Sequence, residues 1–112
     1  MKSISTHVLD ITRGRPAANV PVTLERKDGG AFARVGGGST DADGRIKDLV
    51  PEGQLEAGTY RITFDTGAYF AATSVEGFYP EASIVFVVRD AAAHYHVPLL
   101  LSPYGYSTYR GS

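Results

Sequence analysis

The amino-acid sequence predicts an all-β sandwich or barrel, built as one domain over residues 1–112. Short runs of alternating apolar and polar residues recur along the chain, as in half-buried strands. Turn-forming residues separate these runs, among them 13 Gly and 6 Pro. Hydrophobic residues make up 43% of the chain, which is enough to form one core. The chain of 112 residues is too short to form a second domain.

The N-terminal half predicts four strands. The first covers Ile4–Asp10 and ends in a polar stretch that contains Gly and Pro. The second, residues 20–25, alternates strictly between apolar and other residues, with its proline near the start. A weaker third strand, residues 31–35, ends before three consecutive glycines. An Asp-Ala-Asp-Gly turn then leads into a short strand that begins with Arg45–Ile46.

The C-terminal half predicts four more strands and a helix. Residues 60–65 alternate as in a strand, after which the period of two is lost. Residues 65–72 therefore predict a short helix, with Asp65 or Thr66 as its N-cap. Residues 84–89 are apolar on both faces, which favours a central strand. Residues 95–101 and 104–110, joined by a Ser-Pro turn, predict a final hairpin.

Composition excludes several classes of protein. The net charge of −1 provides no general attraction for nucleic acid or an anionic membrane. No apolar run approaches the roughly 20 residues that cross a bilayer, and the start of the chain lacks the apolar core of a signal peptide. We therefore expect a cytoplasmic protein. The absence of Cys excludes disulfides and thiolate nucleophiles.

Strand periodicity gathers polar residues on one face that is not the core face. The penultimate strand points His94, His96, Pro98 and Leu100 away from its apolar side. Other strands add to this face His7 with Ser5, and Ser107 with Tyr109. A single exposed histidine is usually a solvated side chain. The combination of imidazoles, small residues and Leu instead suits a pocket or an interface, and histidine suits proton transfer near neutral pH.

Two alternatives remain open from the residues alone. His94 and His96 have the i, i+2 spacing of zinc ligands on a strand, and His7 would be a third ligand. A carboxylate ligand is missing, however, and a nearby Arg45 would repel a dication, so we predict a site without metal. The second alternative concerns Arg45, which follows a tight turn: an arginine at the end of a strand is commonly solvated and has no role in a site.

Six stretches of the sequence resemble one known family. They are STHVLD, GRPA, DGRI, FDTGAYF, FYPE and HYHVPLLLSPYGYSTYRGS, which begin at residues 5, 14, 43, 64, 78 and 94. Together they closely resemble the transthyretin-like family and, within it, the branch of hydrolases that act on 5-hydroxyisourate. The resemblance covers essentially the whole chain, and the terminal Tyr-Arg-Gly-Ser is its most specific element.

The resemblance implies a sandwich of two four-stranded sheets with one short helix. It implies a homotetramer, a dimer of dimers, with active sites in the channel between dimers. The implied reaction is the hydrolysis of 5-hydroxyisourate to 2-oxo-4-hydroxy-4-carboxy-5-ureidoimidazoline in urate degradation, without a cofactor. His7, Arg45 and His96 match the family's catalytic residues. His7, Arg45 and Tyr109 match its substrate contacts, with Ser107 as a neighbour.

The alternative function is that of a transthyretin-type carrier of a small hormone. The carrier has the same fold, but its residue types at the matching positions are Lys for His7, Glu for Arg45, and Thr for both His96 and Tyr109. It also lacks the Tyr-Arg-Gly-Ser ending. Since this sequence has all four enzyme-type residues, the resemblance favours the hydrolase.

Overall fold

The computed structural model describes residues 3–112; Met1 and Lys2, part of the start inspected for a leader, lie outside them. Within these residues the chain forms two β-sheets and one short helix. The elements are β1 Ile4–Asp10, β2 Arg15–Pro16, β3 Pro21–Asp28, β4 Ala31–Ser39, β5 Arg45–Ile46, β6 Gly58–Phe64, α1 Thr66–Ala72, β7 Ala82–Val88, β8 Tyr95–Ser102 and β9 Gly105–Thr108. The predicted all-β architecture is confirmed.

The first sheet, which carries the candidate site, has the strand order β2-β1-β8-β9, and β5 also pairs with β1. The second sheet has the order β4-β3-β6-β7. Strands β1 and β8 run parallel, and the other pairs are antiparallel. The first sheet holds five strands rather than four, because the two-residue strands β2 and β5 share one edge of β1. The strand at Arg45–Ile46 was predicted from the turn before it, whereas the two residues of β2 show no alternation from which to predict a strand.

The core lies between the sheets and follows the alternation that the sequence displays. Fully buried side chains include Ile4 and Val8 of β1, Ile62 of β6 and Leu99 of β8. Burying a side chain of this size stabilises the fold by roughly 1.5–3 kcal/mol. One side of the first sheet is thus fixed against the core, which turns Ser5, His7 and His96 to its opposite side.

Strand β4 is longer than predicted because the three glycines continue it. A side chain at Gly36 would overlap the backbone carbonyl of Leu49. Gly37 has a φ of +155°, which residues other than glycine rarely adopt, and pairs with Thr23 of β3. The glycines therefore do not end the strand: Gly36 leaves room for the segment around Leu49 to lie directly against it.

The prediction that residues 84–89 form a central strand was wrong. Strand β7 is an edge strand that pairs with β6, and Val85 and Val87 are 58% and 45% exposed. An apolar run shows that both faces of a strand avoid water, but it does not show what covers them. The outer side of β7 is open to solvent in the single chain.

Helix α1 begins as predicted at the N-cap Asp65, whose carboxylate accepts a 3.0 Å hydrogen bond from the Ala68 N–H. The Tyr69 hydroxyl donates a 2.7 Å hydrogen bond to Asp10 at the end of β1, so the helix is attached to the strand that carries His7. Burial and this contact raise the pKa of Tyr69. In the described part of the chain no helix is long and apolar enough to cross a membrane.

Candidate active site

The pairing of β1 with β5 and β8 places the predicted catalytic residues at neighbouring positions on adjacent strands. His7 of β1 pairs with Arg45 of β5 on one side and with Pro98 of β8 on the other. Ser5, two positions before His7, pairs with His96. Because residues two apart on a strand share a face, these side chains meet on the side of the sheet that faces away from the core.

A buried serine joins two of the three histidines. The Ser5 hydroxyl lies 2.8 Å from Nδ1 of His96 and 3.0 Å from Nε2 of His94. Ser5 is 9% exposed, His96 is half-buried and His94 is exposed. The three side chains therefore form a continuous hydrogen-bonded chain from the inside of the site to its surface.

A cavity of about 340 Å³ opens beside this chain. Its lining consists of Ser5, Thr6, Arg45, Ile46, Lys47, His94, His96 and Ser112. Two cationic side chains, Arg45 and Lys47, thus face the same space as the imidazoles. Such a lining suits a small polar or anionic molecule that accepts several hydrogen bonds.

A larger cavity of about 850 Å³ lies elsewhere, against the segment that contains Leu49 and Pro51. Its lining has two carboxylates, Asp48 and Glu52, but no histidine, arginine or lysine. It lacks the acid–base and cationic groups that distinguish the smaller cavity, so size alone does not identify the candidate site.

The surroundings of His96 favour its neutral form. Burial away from water lowers the pKa of His96, and the nearby charges of His7, Arg45 and His94 lower it further. A hydrogen bond with the backbone of Ser5 acts in the opposite direction but is the smallest of these effects. A neutral imidazole has a free lone pair, so His96 is suited to accept a proton near neutral pH.

The C-terminal segment packs directly against His96. Gly111 forms a β-bridge with His96, and its N–H donates a 2.8 Å hydrogen bond to the His96 carbonyl. A side chain at Gly111 would overlap Cδ2 of the imidazole. The glycine of the terminal Tyr-Arg-Gly-Ser is therefore required locally, because only a residue without Cβ lets the backbone approach the ring this closely.

Ser107 and Tyr109 lie outside the cavity next to His96. Ser107 pairs with Leu100 and is exposed. Tyr109 is 59% exposed and lines a different cavity of about 240 Å³, which includes Phe86 and Val97. In the single chain the structure thus brings together His7, Arg45 and His96, but not Ser107 and Tyr109, the other two predicted substrate contacts.

Sequence reasoning missed three contributors to the site. Ser5 had a signal, since it shares the strand face of His7, but its contact with His96 depends on the parallel pairing of β1 with β8. Lys47 also had a signal, because it lies two residues after Arg45. Gly111 belongs to the Tyr-Arg-Gly-Ser stretch that the resemblance singles out, but the sequence does not reveal that this glycine packs against His96.

The three-histidine metal alternative does not find support in the geometry. Among residues 3–112 no group of three or more His, Cys, Asp or Glu side chains is arranged to hold a metal ion. Nδ1 of His96 and Nε2 of His94 instead face the Ser5 hydroxyl.

Comparison with known proteins places the chain and its fold in a family. A family model described as HIUase/Transthyretin family matches residues 4–111. The chain is 49% identical over 109 residues to a Salmonella dublin protein named 5-hydroxyisourate hydrolase, covering 97% of this chain and 80% of that protein.

Two solved structures have the same fold. The structure of Klebsiella pneumoniae 5-hydroxyisourate hydrolase is 41% identical with a TM-score of 0.86, covering 98% of this chain and 99% of that one. Transthyretin from Sparus aurata is 34% identical with a TM-score of 0.93, covering 99% and 97%. Since the family model spans nearly every described residue and the relatives match along almost the full length, the chain belongs to the HIUase/Transthyretin family.

Proposed function

We propose that this protein hydrolyses 5-hydroxyisourate to 2-oxo-4-hydroxy-4-carboxy-5-ureidoimidazoline, a step of urate degradation, by opening a cyclic amide. One observation carries the proposal: His96, whose pKa is lowered by burial, shares a small cavity with Arg45. The relatives named 5-hydroxyisourate hydrolase support it by their identity along nearly the whole chain. The transthyretin fold does not separate an enzyme from a carrier, since both occur in the family.

His96 and His7 provide the acid–base chemistry that the reaction needs. Neutral His96 takes a proton from water as the water oxygen attacks the amide carbonyl carbon. The C–N bond then breaks, and the leaving nitrogen receives a proton from a histidine, with His7 as the second candidate. General acid–base catalysis of this kind contributes roughly 10²–10⁴-fold to a rate.

Arg45 provides the fixed positive charge. Its guanidinium can donate to substrate oxygens and stabilise the oxyanion that forms when the carbonyl is attacked. Asp41 supports this residue through the backbone: its carboxylate accepts a 3.0 Å hydrogen bond from the Arg45 N–H, which lowers the pKa of Asp41. The turn before β5 thus holds the start of the strand in place.

Ser107 and Tyr109 contact the substrate in the assembled protein. We propose a homotetramer built as a dimer of dimers, with the sites in the channel between dimers. Association of subunits is supported by the exposed apolar or aromatic side chains of Val85, Val87 and Tyr109, which a partner would cover. Leu100, on the face that carries His96, supports it as well. The cytoplasmic location stays a prediction, which cell fractionation would test.

The direct test follows the decay of 5-hydroxyisourate, freshly made by urate oxidase, by absorbance with and without the protein. We expect the protein to accelerate the decay in proportion to its concentration. The His96→Asn variant at the same concentration serves as the matched control. A decay that the protein leaves unchanged would contradict the proposal and favour the carrier, which would then be tested by binding of thyroxine.

A further inference from the structure

The hydrogen bonds that join His94, Ser5 and His96 limit which of their ring nitrogens can carry a proton. A hydroxyl has one proton to donate. Ser5 can therefore donate to only one of its two imidazole neighbours and must accept a hydrogen bond from the other. The distances of 2.8 Å and 3.0 Å are those of two hydrogen bonds formed at the same time.

Two arrangements satisfy this restriction when both rings are neutral. In the first, Ser5 donates to Nδ1 of His96, which then carries its proton on Nε2 and has no free lone pair toward the substrate. In the second, Nδ1–H of His96 donates to Ser5, Ser5 donates to Nε2 of His94, and Nε2 of His96 is free to act as a base. The tautomer of His94 thus determines the tautomer of His96.

From this geometry we infer that Ser5 is a positioning residue that couples the protonation of His94 to that of His96. The inference rests on the proposed function for its catalytic part, because it assigns His96 as the base. The coupling of the two rings follows from the hydrogen bonds alone and does not depend on the reaction.

The coupling resolves a conflict at His96. Burial and the positive charges around this ring favour its neutral form, but the same factors oppose the imidazolium that forms when it takes a proton. The charged or titratable groups that face it are His7 on β1, Arg45 on β5, Lys47 just beyond β5 and His94 just before β8. His94 is exposed, so water can solvate a charge there at lower cost.

The proton transfer balances without any further reactant. Nε2 of His96 takes a proton from the attacking water, while Nδ1 of His96 gives its proton to the Ser5 oxygen. Ser5 gives its own hydroxyl proton to Nε2 of His94, which becomes the cation. The reverse transfer returns a proton from His94 through Ser5 to Nδ1 of His96, and Nε2 of His96 then releases the proton it took from water to the leaving nitrogen of the substrate.

The coupling can be measured without substrate. The chain has three histidines, so the ring-nitrogen NMR spectrum of protein labelled with ¹⁵N-histidine contains three pairs of signals, which reveal each tautomer. We expect the His94 and His96 signals to change together as the pH is varied. In Ser5→Ala the two rings should titrate independently. Ser39→Ala, which alters an exposed serine of the other sheet, is the matched control and should leave the coupling intact.

The catalytic part is tested by kinetics. We expect Ser5→Ala to lower kcat by about 10–100-fold, with KM within about twofold, because the partner that orients a reacting imidazole is lost. The acid side of its pH profile should shift, and Ser5→Thr, which keeps the hydroxyl, should restore most of the kcat. A merely structural role would not be rescued by the hydroxyl in this way.

If Ser5→Ala does not fold, His94→Asn breaks the chain from its exposed end and should still change the Nδ1 signal of His96. Independent titration of His94 and His96 in the unaltered protein would overturn the coupling. Coupled rings together with an unchanged kcat and pH profile in Ser5→Ala would overturn the catalytic part. Coupled rings in a protein without hydrolase activity would contradict the proposed function but leave the coupling in place.

Discussion

At the scale of single residues, His96 is constrained on more than one side. Ser5 contacts its Nδ1, and the backbone of Gly111 lies against its ring. The charges of Arg45 and His7 act on it from the neighbouring strand rows. A histidine held in this way loses little orientational freedom when substrate binds, which favours catalysis by a fixed base.

The first prediction at this scale concerns the two imidazoles of the catalytic set. We expect His7→Asn and His96→Asn each to lower turnover by about 10²–10⁴-fold if each takes part in proton transfer. Steady-state kinetics measures the loss, and circular dichroism checks that the β fold is kept. Near-normal turnover in either well-folded variant would remove that histidine from the mechanism.

The pH dependence follows from the lowered pKa of His96. The base must be neutral, so kcat/KM should fall as the pH drops through this pKa, at a lower pH than for an ordinary histidine. Arg45→Gln removes a cation that opposes the imidazolium. The His96 pKa should then rise, and the acid limb of kcat/KM should move to higher pH along with a general loss of rate. An unmoved acid limb in Arg45→Gln would show that another group titrates.

Metal removal tests the remaining alternative for the histidines. Since His and Arg provide both the acid–base and the electrostatic contributions, we expect exhaustive chelation to leave turnover unchanged. The measurement compares chelated protein with and without added zinc. Activity that disappears on chelation and returns with zinc would restore the site of His7, His94 and His96 as a metal centre.

At the scale of elements, the strands with strict alternation could be predicted from the sequence, as β1, β6 and β8 illustrate. The glycines of β4 could not, because the contact of Gly36 with the Leu49 backbone is a tertiary feature. The edge position of β7 could not be predicted either, because the residues of a strand do not show whether another strand lies beside it. That His7 and His96 share a sheet face with Arg45 nearby could be predicted from the sequence, whereas the contact of Ser5 with His96 depended on which strand β1 pairs with and in which direction.

The C-terminal segment gives a prediction at this scale. Gly111→Ala places a methyl group where Cδ2 of His96 lies, so the ring or the segment must move. We expect a loss of kcat of about tenfold or more, since a small displacement of a catalytic group is costly. Gly29→Ala is the control, because a Cβ there meets nothing within 4 Å, although its positive φ adds some strain. Full activity in Gly111→Ala would show that this contact does not position the imidazole.

At the scale of the whole molecule, association should complete the site. Tyr109 lies apart from the cavity that Arg45 and His96 share, so one chain does not assemble the full predicted set. The face that carries Pro98, Leu100 and Ser107 combines apolar residues with polar residues of the candidate site. A symmetric partner on this face would exclude water and strengthen the interaction of Arg45 with the substrate.

Leu100→Arg tests this proposal, since it adds a cation to that face while Leu99 and Leu101 stay in the core. We expect a folded dimer by light scattering, with a native β spectrum and little activity. Leu100→Met, similar in size and uncharged, is the control and should remain a tetramer. A fully active dimer would show that each subunit or dimer has a complete site, and the interface proposal would be wrong.

The parallel pairing of β1 with β8 has a consequence for how the protein folds. The Ser5–His96 contact joins residues 91 positions apart in the chain. Contacts of such separation close large loops and slow folding, although loop length affects stability only modestly. During synthesis β1 therefore emerges long before its central neighbour exists, and only β2 and β5 can pair with it. The face that carries the candidate site is assembled late, after the strand that bears His96 has left the ribosome.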